Sequence, residues 1–185
     1  LSAINTGSKI GTKKLGFQYM NELILSSQKE VRANLEHIVP RVAESFTDIN
    51  AEVITMAEDT LKLLCEAIEN TDIDPFIPQL INVFRDPENA TEVIHGLAAV
   101  TFVQEVDAPT LSIIVPVLML GFRAKADSTK RLSAVIVANM IKLVNNPLEV
   151  SNYLPKLLPP MENAAKNVSE PEARSMCGRA LGQLR

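Results

Sequence analysis

Tryptophan is absent from this 185-residue chain, and aromatic residues make up only 4% of it. The 46% of residues that are hydrophobic must therefore build an aliphatic core of Leu, Ile, Val, Ala and Met, which suits helix-on-helix packing. Only two cysteines, Cys65 and Cys177, occur, both within apolar helical patterns. Two thiols make no disulfide framework, and a reduced, intracellular protein located in the cytoplasm is expected. Two histidines, His37 and His95, lie far apart in the chain, and with two cysteines they give no metal-ligand spacing. His37 has Glu36 beside it, but adjacent residues do not share a helix face. No Ser-His-Asp or Cys-His grouping marks a nucleophile. The string GSKIGTKK at 7–14 has its glycines too close together and lacks the Gly-Lys-Ser/Thr of a phosphate loop. The longest apolar stretch, around Ile113 to Phe122, is interrupted by Pro116 and falls well short of the ~20 residues of a membrane span. No signal-peptide pattern opens the chain. Sequons occur at Asn89-Ala90-Thr91 and Asn167-Val168-Ser169, a triplet common by chance. The chain starts at Leu1 and stops within a helical pattern at Arg185, so a piece of a longer protein is expected.

What the chain does contain is a fourfold repeat. The segments HIVPRVAESFTD, PFIPQLINVFRD, IIVPVLMLGFRA and NYLPKLLPPMEN share one pattern. Their prolines, Pro40, Pro78, Pro116 and Pro155, are 38, 38 and 39 residues apart, and a large apolar residue follows each by six: Phe46, Phe84, Phe122 and Met161. A fixed period of this length signifies a stacked array in which each unit contacts its neighbours, and it favours binding over catalysis.

Each unit reads as two helices. The first (A) carries the proline, with apolar positions Val39, Val42, Phe46; Ile77, Leu80, Phe84; Val115, Leu118, Phe122; and Leu154, Leu157, Met161. The second (B) carries Val53, Ala57, Leu61, Leu64; Val93, Leu97, Val100, Val103; Leu132, Val135, Val137, Met140, Leu143; and Ala173, Met176, Ala180, Leu184. No alternating polar/apolar run predicts a strand. The spacing predicts helices over 9–26, 29–47, 50–69, 74–85, 90–105, 108–124, 128–145, 147–166 and 170–185. Asp74-Pro75 and Asn146-Pro147 read as caps with proline in the first turn, Asn89 with Glu92 as a capping box, and Asp107 and Asp127 as N-caps. Four prolines in register within A helices predict a kink in each. The predicted fold is all-α: a single right-handed α–α superhelix of the HEAT/ARM type over 1–185, with a leading half-repeat at 9–28 and repeats at 29–70, 71–106, 107–146 and 147–185.

Charge is uneven along the chain, whose net charge is −4. Glu44 to Asp74 holds nine acids and Lys62 alone as base, a net of −8, while Gly121 to Arg131 carries a net of +3. Glu58, Asp59, Glu66 and Glu69 read as a solvated acidic face. Arg123, Lys125, Lys130 and Arg131 bracket the A–B turn of the third repeat, and Arg174 and Arg179 of the next repeat extend the strip, with Lys166 just before that turn. Rows of Lys and Arg on a rigid scaffold can follow RNA phosphates. Base stacking is not expected, since the Phe residues sit in core phase.

The 38-residue period, the helix-A proline and an Asp eight residues later (Asp48, Asp86) resemble the HEAT repeat. In such arrays a base near the start of helix B pairs with that Asp from a neighbouring unit; Arg131 and Arg174 align at such a place, and Ala124 and Asn163 interrupt the ladder. The strings FVQEV (102–106), APTLSIIVP (108–116), the Lys130-Arg131 pair before VIVANMIKLV (135–144) and EPEAR (170–174) resemble the HEAT region of fungal-type translation elongation factor 3, an ABC-F ATPase family. This resemblance is specific over 101–185 and rests on repeat phase over 11–100. A related pattern is found in the large HEAT regulator Gcn1; Gln104-Glu105-Val106 favours the elongation factor. The resemblance implies an array that docks on the ribosome, on rRNA and ribosomal proteins and with other translation factors as further partners, while separate ATP-binding cassettes drive release of spent tRNA. It implies no cofactor, catalysis, membrane or small-molecule substrate for this region itself, with ATP bound elsewhere in the full-length protein. The acidic first half would face basic protein segments. The alternative is a Gcn1-like or general HEAT scaffold that binds protein helices or peptides.

Overall fold

Two helices of this chain are opened by the side chain of an asparagine. The computed structural model describes residues 1–5 and 7–184, with side chains described as far as Gly182. Asn50 Oδ1 accepts the Glu52 and Val53 amides at 3.0 and 3.2 Å and so opens α4 (Ala51–Cys65). Asn146 Oδ1 accepts the Leu148 amide at 3.1 Å, with Pro147 in the first turn of α9 (Pro147–Ser151). Both bonds satisfy amides that have no intrahelical acceptor. The other helices are α1 (Ile10–Ser26), α2 (Gln28–Arg32), α3 (Leu35–Glu44), α5 (Ile77–Arg85), α6 (Ala90–Ala98), α7 (Ala108–Arg123), α8 (Asp127–Ile141), α10 (Leu154–Asn167) and α11 (Pro171–Leu184). Among the described residues there is no strand, and the chain is all-α. Arg185, the end of the last predicted helix, and the predicted inward side chain of Leu184 lie outside what is described.

Several predicted boundaries are corrected. The 29–47 helix is two, broken at Ala33–Asn34, and 147–166 is two, broken at Asn152–Tyr153. The 74–85 helix begins as a 3-10 turn over Asp74–Phe76 without a side-chain cap. The Asn89–Glu92 box does not form; Asp86 Oδ1 instead takes the Glu88 amide at 3.3 Å and starts a 3-10 turn that leads into α6. Asp127 is the first residue of α8 rather than its cap.

Of the four prolines expected inside A helices, two lie there. Pro40 and Pro116 lie inside α3 and α7. Pro78 and Pro155 fall in the first turns of α5 and α10, where a missing N–H leaves no bond unmade. The same repeat position therefore lies inside a helix in two units and begins one in the other two.

The chain divides into two compact units. The first comprises residues 1–69 with 108–113. In it α1 packs on α4, as does α3. Phe17, Ile24, Leu35, Leu61 and Leu64 are fully buried there, each such side chain contributing about 1.5–3 kcal/mol. The Thr60 hydroxyl donates to Asn21 Oδ1 at 2.7 Å, and Lys13 Nζ to Asp48 Oδ2 at 2.6 Å.

The second unit comprises residues 70–107 and 114–185. Here α5 packs on α6, α6 on α8, α8 on α11 and α10 on α11, so successive B helices form a row with A helices beside them. Gly121 lets α7 approach this row: a Cβ there would overlap Ser133 Oγ and Ile94 Cδ1. Phe122 and Met161 are buried as the period predicts, and so is Phe46 in the first unit, whereas Phe84 is half-buried.

The predicted 90–105 helix ends at Ala98 because its continuation finds acceptors outside the helix. The Val103 and Gln104 amides donate to Asp72 Oδ2 at 2.7 and 2.8 Å, and Asn70 Nδ2 donates to the Glu105 carbonyl at 3.2 Å. The Thr71 amide donates to Gln104 Oε1 at 2.9 Å, and the Val106 amide to the Leu143 carbonyl at 3.0 Å. Val103, an expected core position, is consequently 70% exposed.

Candidate functional site

The strongest local concentration of cations lies at one edge of the second unit. Four helix ends meet there. α7 ends at Arg123, and after three intervening residues α8 begins at Asp127. α10 ends at Asn167, and α11 begins at Pro171. The Ser169 amide donates to Asp127 Oδ2 at 2.8 Å, so the turn before α11 is tied to the first residue of α8. The N-termini of two long helices thus share this edge, and their dipoles add positive potential to it.

Each predicted site residue has a definite place. Arg123 closes α7 and is exposed, and Lys125 is exposed in the following turn. Lys130 and Arg131 are half-buried in the first two turns of α8. Arg174 is exposed one turn into α11, and Lys166 is exposed in the last turn of α10. Arg179 is exposed five residues beyond Arg174, about 7.5 Å along the axis, and sits away from the edge beside Met176 Sδ. Among the described residues none of Arg123, Lys125, Arg131, Lys166 and Arg174 forms an ion pair. Lys130 differs: its Nζ lies 3.0 Å from Asp127 Oδ1. That ammonium, together with the Ser169 amide, holds the Asp127 carboxyl below the usual carboxylate range.

The buried faces correct one alignment. Thr129, Ser133 and Ile136 of α8 occupy the positions that Ala173, Cys177 and Ala180 occupy in α11. That register pairs Arg174 with Lys130 rather than with Arg131. The corresponding buried face of α1 is Lys13, Phe17, Met20 and Ile24. Lys13 is therefore the base of the predicted Asp ladder, and Asp48 its acid, with Lys14 pairing Glu52 beside them. At the equivalent step of α8, Thr129 Oγ1 is buried with no partner among the described residues.

Other chemistry is not assembled. Among the described residues no three His, Cys, Asp or Glu side chains group as a metal site. His37 does reach Glu36, at 3.4 Å, although they are adjacent in sequence: the exposed imidazole folds back along the helix surface. His95 belongs to the other unit. Burial pushes the Cys65 thiol up to about 12 and raises that of Cys177, which leaves both protonated. The first unit holds an apolar groove of about 880 Å³ beside α1, lined by Leu15, Tyr19, Leu23, Val31 and Ile38 among others. It contains none of the basic residues of the edge. No helix among the described residues is long and apolar enough to cross a membrane.

Comparison with known proteins identifies the family. The family model described as "Elongation factor 3/GNC1 HEAT repeat" matches residues 88–185. Elongation factor 3 of Pneumocystis carinii is 39% identical over 183 residues, covering 99% of this chain and 18% of that protein. Elongation factor 3B of Saccharomyces cerevisiae is 35% identical over 185 residues, covering 100% of this chain and 18% of its own length. Elongation factor 3 of Phytophthora infestans is 35% identical over 177 residues, 96% of this chain and 17% of that protein. The chain thus spans less than one-fifth of the length of the curated relatives it matches, and the likeness reaches well upstream of residue 101, where the motif resemblance is specific. An all-α array of proline-phased helix pairs, matched over almost its whole length, places this chain in the elongation factor 3 family, as a HEAT-repeat region of it.

Proposed function

We propose that this region docks an elongation-factor-3-like protein on the ribosome during translation elongation, in the cytoplasm, by laying the basic edge of its second unit along rRNA phosphates. The carrying observation is that edge: Arg123, Lys125, Arg131 and Arg174 come from the ends of consecutive repeats, and none has a carboxylate partner among the described residues. Unpaired cations on helix ends that packing has already fixed need break no ion pair and lose little backbone freedom on meeting a phosphate. Lys130, paired with Asp127, and Arg179, farther along α11, flank this set. The region itself does no chemistry; ATP binding and hydrolysis belong to cassettes elsewhere in the parent protein. The acidic face around α4 suits basic segments of ribosomal proteins or of other translation factors.

Cosedimentation with purified 80S ribosomes tests this reading. Reversing Arg123, Lys125 and Arg131 to Glu should abolish binding at 100 mM KCl while leaving the helical circular-dichroism spectrum intact. Wild-type affinity should fall steeply between 50 and 200 mM KCl, as counterion release requires. The apolar groove beside α1 favours a second reading, a Gcn1-like scaffold for a protein helix. Binding that survives the triple reversal and ignores salt would replace the first reading with the second.

A further inference from the structure

We propose that Asp127 is a positioning residue for the basic edge: it clamps the turn before α11 to the start of α8 and withholds Lys130, so that Arg123, Lys125, Arg131 and Arg174 are the cations offered to phosphate. This rests on the docking reading above.

The geometry points to a divided carboxylate. Its Oδ2 accepts the Ser169 amide at 2.8 Å across 42 residues, and its Oδ1 accepts Lys130 Nζ at 3.0 Å within the same helix turn. One oxygen serves the neighbouring repeat and the other a local cation. The Asp127 and Lys130 side chains are 24% and 23% exposed, whereas Arg123, Lys125 and Arg174 stand in solvent. Position favours the ionised acid, since a carboxylate in the first turn of α8 meets the positive end of the helix. The pair is neutral as a unit, and Lys130 adds nothing to the outward field while it lasts.

The clamp has a second consequence. Arg174 lies one turn beyond the tied segment, and its amide donates to the Glu170 carbonyl at 3.0 Å. Holding Ser169 therefore fixes where α11 begins and where Arg174 sits relative to Arg123 and Lys125. With the clamp absent, α8 and α11 still pack on each other, each with a buried face, so the turn loosens while the helices stay together.

The two roles separate by substitution. Asp127→Asn keeps a carbonyl oxygen for the Ser169 amide but loses the charge that holds Lys130. Lys130 then becomes available, and the slope of log Kobs against log[KCl] for 80S ribosomes should steepen by about 0.7–0.9, an additional loss of about threefold between 50 and 200 mM. Lys130→Met alone leaves Asp127 unpaired beside the edge, so affinity should fall modestly while the slope stays unchanged, and Asp127→Asn combined with Lys130→Met should return both to the wild-type values. Asp127→Ala removes the clamp, and hydrogen exchange at the Ser169 amide should accelerate at least tenfold, with weakened ribosome binding. A flattened slope in Lys130→Met, or an unchanged slope in Asp127→Asn, overturns the withholding of Lys130. A Ser169 amide equally protected in wild type and Asp127→Ala overturns the clamp, and it does so whether or not ribosomes bind. Wild-type chain that ignores ribosomes at every salt concentration sinks the docking reading, and the proposal with it as regards phosphate, while the exchange arm still decides the clamp.

Discussion

Lys13 Nζ and Asp48 Oδ2 lie 2.6 Å apart, with only 7% and 6% of their side chains exposed. Asp48 also accepts the Asn50 amide at 2.9 Å through its other oxygen, so this one carboxylate joins α1 to the turn ahead of α4. A buried pair of this kind is costly to split but replaceable as a whole. Lys13→Met should lower the unfolding free energy by about 3 kcal/mol in urea titration, because Asp48 is left charged and unpaired. Adding Asp48→Asn should recover much of that loss. Equal destabilisation by the single and double substitutions would show that leaving Asp48 unpaired carries no penalty.

The same carboxylate gives a pH signature. The Lys13 ammonium, aided by the Asn50 amide, holds the Asp48 carboxyl below its ordinary value. An acid with a depressed folded-state pKa contributes stability that is fully present above the unfolded value near ~4 and is lost as pH falls through the folded value. Urea midpoints of the wild type and Asp48→Asn should therefore differ most at pH 6–7 and converge below pH 4. A constant difference from pH 7 to pH 2.5 would contradict this.

Gly121 marks the closest approach of α7 to its neighbours. Gly121→Ala places a methyl group against Ser133 Oγ and Ile94 Cδ1, and the resulting overpacking should cost about 1–3 kcal/mol by thermal or chemical denaturation. Gly178→Ala, with nothing within 4 Å of the added Cβ, should stabilise α11 by some tenths of a kcal/mol through helix propensity. A pair of equal effects would mean that α7 can move away without loss.

Cys65 offers a probe of global opening. With its thiol pushed up to about 12 by burial, it should resist iodoacetamide at pH 8 in the native chain and react at the unfolded rate above the urea midpoint. Rapid native-state alkylation at Cys65, identified by peptide mass, would show that α4 opens locally.

How much of this was legible in the sequence follows from which interactions are local. The 38-residue period and the buried Phe46, Phe122 and Met161 were readable because helix-pair packing repeats with the chain. Helix ends were not: α6 stops where Asp72, some thirty residues earlier, supplies acceptors for Val103 and Gln104. The prolines misled for a related reason. A break at Asn152–Tyr153 turns Pro155 from an interior residue into a first-turn one, and the proline itself does not reveal that break. In α8 the expected Val137 and Met140 are buried, but Leu132 and Val135 are half-buried while Ser133 and Ile136 are buried, because α8 packs against both α6 and α11. The cations of the basic edge stand out in composition. The division of labour among them does not, since only the fold brings Ser169 to Asp127 and thereby sets Lys130 apart from its neighbours.

The stretch from Ala99 to Asp107 holds no helix, yet Asp72, Asn70, Thr71 and Leu143 pin its backbone and Gln104 side chain at five points. Such a segment behaves as a measured spacer. Its outward side chains, Val103 among them, are free to be exchanged, whereas adding or deleting a residue would throw every anchor out of step at once. Variation here should therefore take the form of substitutions and not of changes in length, the reverse of what a surface connection ordinarily tolerates.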